Sequence, residues 1–250
     1  LSIYISNFYE VEKMHIINRE TVDCYAYSNS ELCTKPIKGI VLEFHGLGYG
    51  DLIHGHNERS RMFAQNGVLY VFPYYGPWSW MNRNAVAIVD AVTDAFFDRF
   101  SLAPNTPIIA SGGSMGGLSS LIYTRYAKRT PTACAANCPV CDLPFHRTER
   151  DDLPRTVYSA FCDYPMPFDD AVKTASPVHQ AADMPKIPYL IVHCEEDKAV
   201  NKAKHSDVLV EALRKSGHEV EYIAVPGRGH CDMDEAAWKR YDGFILENIK

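Results

Sequence analysis

Apolar positions along the chain follow two periods. Short continuous apolar runs at 39–44 (GIVLEF), 68–72, 133–140, 187–193 and 219–225, and the run PII that opens 107–121, read as strands. The unbroken character of GIVLEF marks a strand buried on both faces of a parallel sheet. A helical period separates these runs. Residues 84–100 carry Val86, Val89, Val92, Phe96, Phe97 and Phe100 on one face, and 57–66, 205–215 and 234–249 are amphipathic, the first two ended by Gly67 and Gly217. After the run at 107, small and apolar residues continue as a helix to about Lys128. Residues 1–27 alternate in places (Ile3, Ile5; Ile16, Ile17; Val22, Cys24, Tyr25) and predict one or two antiparallel edge strands. Residues 141–187, polar and proline-rich, break the alternation; 157–161 hints at a short helix within them.

Strand and helix in alternation predict one α/β domain over residues 1–250, with a mostly parallel central sheet and helices on both faces. The stretch 141–187 is expected as a lid-like insertion near the active site, because such excursions in α/β folds sit over the ends of the strands. At 250 residues and 46% hydrophobic content the chain can bury a full core. Its net charge of −6, with no basic run, argues against nucleic acid or an anionic membrane as partner. No apolar stretch approaches the roughly 20 residues of a membrane span, and the N-terminus lacks the pattern of a signal peptide, so a soluble, cytoplasmic protein is expected. Nothing in the sequence sets the oligomeric state.

Eight cysteines in a chain of this length do not make a disulfide scaffold, and Cys134, Cys138 and Cys194 sit in apolar contexts that read as buried, reduced thiols. Cys138-Pro139-Val140-Cys141 is formally C-x-x-C but has no second pair at zinc spacing. His54-x-His56 with Glu58 lacks a third placed ligand. No metal and no organic cofactor is expected.

The candidate chemistry centres on Gly112-Gly113-Ser114-Met115-Gly116, a G-x-S-x-G stretch in strand-turn-helix context, where the glycines make room for a serine in strained backbone angles. A serine hydroxyl needs a histidine to take its proton and a carboxylate to orient that histidine. Asp197 follows the run at 187–193 and His230 follows the last one, giving the chain order Ser114, Asp197, His230. Glu195, Glu196 and Asp142 are rival acids. Tyr74, Tyr75, Trp78 and Trp80 follow the strand at 68–72 in a loop that either lines a pocket or roofs the core. As pocket residues, Tyr75, Trp78 and Trp80 would bind the substrate. His45-Gly46-Leu47-Gly48, after GIVLEF, can turn backbone N–H groups into the crevice at the strand ends.

The segments SGGSMGG, VHCEEDKAV and PGRGHCDMD resemble those of the catalytic domain of the prolyl oligopeptidase family and its esterase relatives, over about residues 37–250, with SPVHQAADMPKIPYLIVHCEEDKAV the most telling block beyond the serine turn. That resemblance implies an α/β-hydrolase fold. HGLG is similar to the oxyanion loop of small acetyl-ester and dienelactone-type hydrolases, which implies that the Leu47 and Met115 N–H groups form an oxyanion hole. The chain departs from the large peptidases in three ways. It has no room for their β-propeller, no recognisable paired-Glu segment for a free amino terminus, and His193-Cys194-Glu195-Glu196-Asp197 in place of HG-x-xD. A serine hydrolase acting on small-molecule carboxylic esters is therefore the first reading. A small oligopeptidase or aminopeptidase is the second, and a non-catalytic binding module on the same fold the third.

Overall fold

A computed structural model describes residues 17–48 and 55–249 of the chain. Among the described residues, seven strands form one sheet: β1 (Ala26–Ser28), β2 (Gly39–Phe44), β3 (Val68–Pro73), β4 (Ile108–Gly113), β5 (Ala133–Asn137), β6 (Tyr189–Cys194) and β7 (Val220–Val225). Their order is β1-β3-β2-β4-β5-β6-β7, with β1 antiparallel to β3 and every other pair parallel.

Alternation along the strands sorts side chains into two cores, since successive residues of a strand point to opposite faces. Ile40, Leu42 and Phe44 of β2 face one layer with Ala110 and Ile191. There they meet α2 (Arg83–Arg99) through Val89, Val92 and Phe96, α3 (Met115–Tyr126) through Leu118, Leu121 and Ile122, and α8 (Ser206–Lys215) through Leu209 and Leu213. Val41, Ile109, Leu190 and Val192 face the other way, against Phe63 of α1 (Glu58–Gln65) and Tyr241, Phe244 and Ile245 of α9 (Glu235–Glu247). Each such aliphatic or aromatic side chain stabilises the fold by roughly 1.5–3 kcal/mol on full burial. Asn57, Asn82 and Asp234 cap α1, α2 and α9 by accepting from the backbone N–H three residues on.

Three sequence expectations change. Val22–Cys24 is a single 3-10 turn rather than strand, because the Asn18 side chain accepts from the N–H groups of Glu20 and Thr21 and curls the chain. Among the described residues of the expected N-terminal strands, only Ala26–Ser28 pairs into the sheet; Ile3, Ile5 and Ile16 lie outside the described residues. β5 stops at Asn137 instead of Val140, since Cys138 takes a left-handed φ of 43° that ends the ladder.

Residues 141–187 fold as α4 (Leu143–His146), α5 (Leu153–Phe161), α6 (Phe168–Thr174) and α7 (Pro177–Gln180), followed by a 3-10 turn at Ala181–Asp183. Leu143, Leu153, Val157, Phe161 and Val172 are buried in the same core as α2 and α3. Among the described residues, no helix is long and apolar enough to cross a membrane.

Candidate active site

The chain leaves β2 for β3 on one side and then returns to β4 on the other, so connections depart in opposite directions from the β2/β4 pair. The carboxyl ends of such a pair open a crevice where open α/β sheets take their ligands. Here β2 runs out into His45-Gly46-Leu47 and β4 into Ser114.

Ser114 joins β4 to α3 with φ 59° and ψ −123°, backbone angles that cost a non-glycine residue free energy and persist only where the surroundings enforce them. The enforcement comes from close packing. A Cβ on Gly116 would stand 2.1 Å from the Phe44 carbonyl oxygen, and one on Gly112 would stand 2.5 Å from that of Gly116, so α3 lies hard against the end of β2. The Ser114 N–H donates to the Asn137 carbonyl at 2.9 Å, tying the turn to β5. Met115, next in the chain and buried, opens α3, so its N–H is among those at the positive end of the helix with no partner inside it.

Asp197 and His230 form the charged part of the site. His230 Nδ1 donates to Asp197 Oδ2 at 2.7 Å, while Asp197 Oδ1 accepts from the N–H groups of Ala199 and Val200 at 2.8 and 2.9 Å. The Asp197 side chain has no solvent exposure and that of His230 keeps 29%. Burial pushes the Asp197 carboxyl up, but contacts from His193, His230 and the Val200 N–H outweigh it and hold the group well below the usual carboxylate range. For His230, burial disfavours the imidazolium, yet the Asp197 carboxylate beside it raises the ring above its ordinary value.

A second histidine, His193, stands behind the pair. Its Nε2 faces the Val200 carbonyl at 3.1 Å and Asp197 Oδ2 at 3.4 Å, so it carries the proton, and the Ser206 hydroxyl donates to Nδ1 at 2.6 Å. The rival acids lie elsewhere. Asp142 caps α4 by accepting from the Phe145 N–H, and Glu195 and Glu196 are exposed.

Ser114, Met115, Leu47 and His230 line one cavity of about 620 Å³ together with Trp80, Trp238, His146 and Arg150. Of the aromatic loop, Trp80 reaches the cavity wall, buried and held by an indole N–H bond to Thr156 Oγ1 at 3.1 Å. Trp78 does not: it is 51% exposed. Tyr75 does not either; it is buried behind His45, with the rings stacked at 4.2 Å and its hydroxyl donating to the His45 carbonyl. Of the three rings expected to bind substrate, Trp80 borders the cavity that Ser114 lines, while Tyr75 and Trp78 lie off it, the loop reversing at Gly76 and again at Trp80 and Met81 through positive φ angles. Of the weak metal hint, His56 Nδ1 meets the Tyr27 hydroxyl at 2.8 Å, Glu58 opens α1, and His54 lies outside the described residues.

Two polar clusters around the cavity have no periodicity to betray them in the sequence. Glu149 Oε2 accepts from His146 Nδ1 at 2.6 Å and from His205 Nε2 at 2.8 Å. His205 Nδ1 in turn accepts from the N–H groups of Cys141 and Asp142, which fixes its proton on Nε2. Below the serine turn, Arg59 bridges Glu43 and Asp242, Ser111 Oγ donates to Glu43, and the Tyr241 hydroxyl donates to the Ala135 carbonyl.

A mostly parallel sheet, a strained serine between strand and helix, and an acid and a histidine after the last two strands define the α/β-hydrolase class. Residues 81–246 match the model of the prolyl oligopeptidase family, and the chain belongs to this family of serine hydrolases. Curated proteins offer no match to the sequence. Among solved structures, the chain is similar to a puromycin hydrolase, at 17% identity and a TM-score of 0.69, covering 86% of this chain and 34% of that one. An acylaminoacyl peptidase of Pyrococcus horikoshii gives 17% and 0.69, covering 85% of this chain and 37% of its own. Esterase PE8 gives 16% and 0.60, covering 87% and 95%. The chain thus spans about a third of the peptidases and nearly all of the esterase.

Proposed function

We propose that the chain hydrolyses carboxylic esters of small molecules through Ser114, His230 and Asp197. The observation that carries this reading is the buried Asp197 carboxylate bonded to His230 Nδ1 at 2.7 Å, beside a cavity that His230 shares with the strained Ser114. With the proton held on Nδ1, the Nε2 lone pair takes the Ser114 proton as Oγ attacks the ester carbonyl. The Leu47 and Met115 N–H groups receive the developing oxyanion, Met115 with the added field of the α3 N-terminus. His230 then returns the proton to the leaving alkoxide, and water releases the acyl group by the same route. Trp80 and Trp238 supply apolar walls, and the likeness to an esterase of nearly matching extent favours an ester over an amide.

Membership in a family that includes peptidases supports a second reading, cleavage of aminoacyl amides or short peptides. One experiment separates the two. The protein is treated with a fluorophosphonate probe and assayed on short aryl esters and aminoacyl arylamides, with Ser114→Ala as control. Labelling confined to Ser114 with turnover of esters alone is the expected result. Cleavage of arylamides but not esters would establish the peptidase reading, and absence of labelling would leave a binding module.

A further inference from the structure

Cys138, the first thiol of the C-x-x-C stretch, is not matched with Cys141, whose Sγ turns to the Pro139 carbonyl. Its neighbours come from the far end of the chain. Cys138 Sγ accepts from the N–H of Cys194 at 3.3 Å and of Cys231 at 3.4 Å, and Cys231 Sγ stands 3.7 Å from His230 Nε2. One ligand atom from each of Cys138, His230 and Cys231 lies within 4.8 Å of the other two. Cys231 holds a left-handed φ of 56°, a conformation costly for cysteine, with its sulfur against Gly113, where an added Cβ would meet it at 3.2 Å.

Three further features match a metal centre. Tetrahedral zinc with N at about 2.0 Å and S at about 2.3 Å sets nitrogen and sulfur roughly 3.6 Å apart, so the pair at 3.7 Å needs almost no movement. His230 donates a hydrogen bond from Nδ1 to a buried carboxylate, which leaves the Nε2 lone pair available and is the supporting arrangement typical of metal-bound histidine. His230 and Cys231 both line the cavity, so a cation has a way in. The other such clusters among the described residues fail this comparison. His205 and His193 are engaged at both ring nitrogens, Nε2 donating to oxygen and Nδ1 accepting, so neither His146-Glu149-His205 nor Cys138-His193-Asp197 offers a full set of lone pairs, whereas the Cys231 thiol, which faces the Asn137 carbonyl at 3.7 Å, gives up its proton on binding a cation.

We propose that Cys138, Cys231 and His230 form a site for a soft divalent cation such as Zn²⁺ or Cd²⁺, and that its occupation switches the hydrolase off. Each thiol releases its proton to solvent as its sulfur binds the cation, and His230 Nε2 binds as the neutral ring. The cation then holds the lone pair that Ser114 needs. The inhibitory half rests on the reading of His230 as base; the site itself does not.

The test uses the full chain carrying Cys24→Ser and Cys162→Ser, which remove the two exposed thiols. Cd²⁺ is titrated by calorimetry and by thiolate-to-cadmium ultraviolet absorption. One equivalent should bind with the absorption of two thiolates. Adding Cys231→Ser should halve that absorption and weaken binding more than about tenfold, the least that losing even a supporting contact costs. Cys138→Ser should do the same, and if it fails to fold, Cys231→Ser carries the test alone. Adding Ser114→Ala should leave Cd²⁺ binding intact. Equal stoichiometry and affinity in the parent and Cys231→Ser would overturn the site. In the ester assay, Zn²⁺ should inhibit the parent, with reversal by EDTA, at concentrations where Cys231→Ser keeps its own rate; binding without inhibition would overturn the switch. The titration needs no turnover, so it decides the site even if no ester is cleaved.

Discussion

At the scale of single residues, the acid assignment separates from its rivals by position alone. Glu195 and Glu196 follow the same strand as Asp197 but stay exposed, whereas the Asp197 carboxylate is buried, with two backbone N–H groups on one oxygen and His230 on the other. In the proposed mechanism, Asp197→Asn should lower kcat about 10⁴-fold, while Glu195→Gln and Glu196→Gln stay near the parent rate, as read by steady-state ester hydrolysis. The same contact sets the pH profile. His230 must be neutral to accept a proton, and Asp197 raises its pKa, so kcat/KM should fall with acid along a limb centred above the ordinary imidazole value of 6.5. Without the carboxylate the largest influence left on the ring is burial, which lowers its pKa. The residual activity of Asp197→Asn should therefore show that limb displaced to lower pH, and an unmoved limb would mean that another group titrates.

At the scale of elements, the serine turn depends on how closely α3 can approach β2. A methyl group on Gly116 would overlap the Phe44 carbonyl at 2.1 Å, and both partners are backbone that cannot swing away. Gly116→Ala should cost about 3 kcal/mol or more in urea unfolding and lose activity in the fraction that folds, because Ser114 and the Met115 N–H move with the helix. The aromatic loop makes a contrasting case. Trp78→Ala should leave both the melting temperature and the KM for aryl esters unchanged, since half of that indole is in solvent. Trp80→Ala should raise that KM and cost about 3–5 kcal/mol of stability, because Trp80 fills the space between the cavity and α5 and bonds Thr156 there. If both variants behaved alike, the division of this loop into wall and surface would be wrong.

At the scale of the whole molecule, Arg59 links α1, β2 and α9 beneath the site. It bonds Glu43 at 3.0 Å and Asp242 at 2.9 Å, with the guanidinium near the rings of Tyr70, Trp238 and Tyr241. All three charged side chains are less than a quarter exposed, so Arg59→Leu would leave two carboxylates facing each other with little water. Denaturant unfolding should show a loss of about 3–5 kcal/mol. Glu43→Gln in the Arg59→Leu background should recover part of it by removing one of the charges, whereas a surface arrangement would show neither effect.

The helices and core strands were legible in the sequence because each signal is local. A strand buried on both faces must be apolar throughout, a helix must repeat every third or fourth residue, and a serine forced into a left-handed turn must have glycines where its neighbours press close. The Asx turn at Asn18 and the backbone reversal at Cys138 were not legible, since one side-chain hydrogen bond or one inverted dihedral overrides propensity without altering the pattern. The chain order of Ser114, Asp197 and His230 needed no structure. That Asp197 rather than Asp142 meets His230, and that Trp80 but not Trp78 or Tyr75 reaches the cavity, depended on how loops from different strand ends converge. The same holds for His205 beside Glu149 and for Cys231 beside Cys138, pairs brought together only by folding. Sequence alone determined which residues could carry the chemistry, because element periodicity and turn sterics are short-range. Tertiary structure decided which of them share one desolvated volume, because hydrogen bonds and burial act over a few ångströms between segments as far apart in the chain as Cys138 and Cys231.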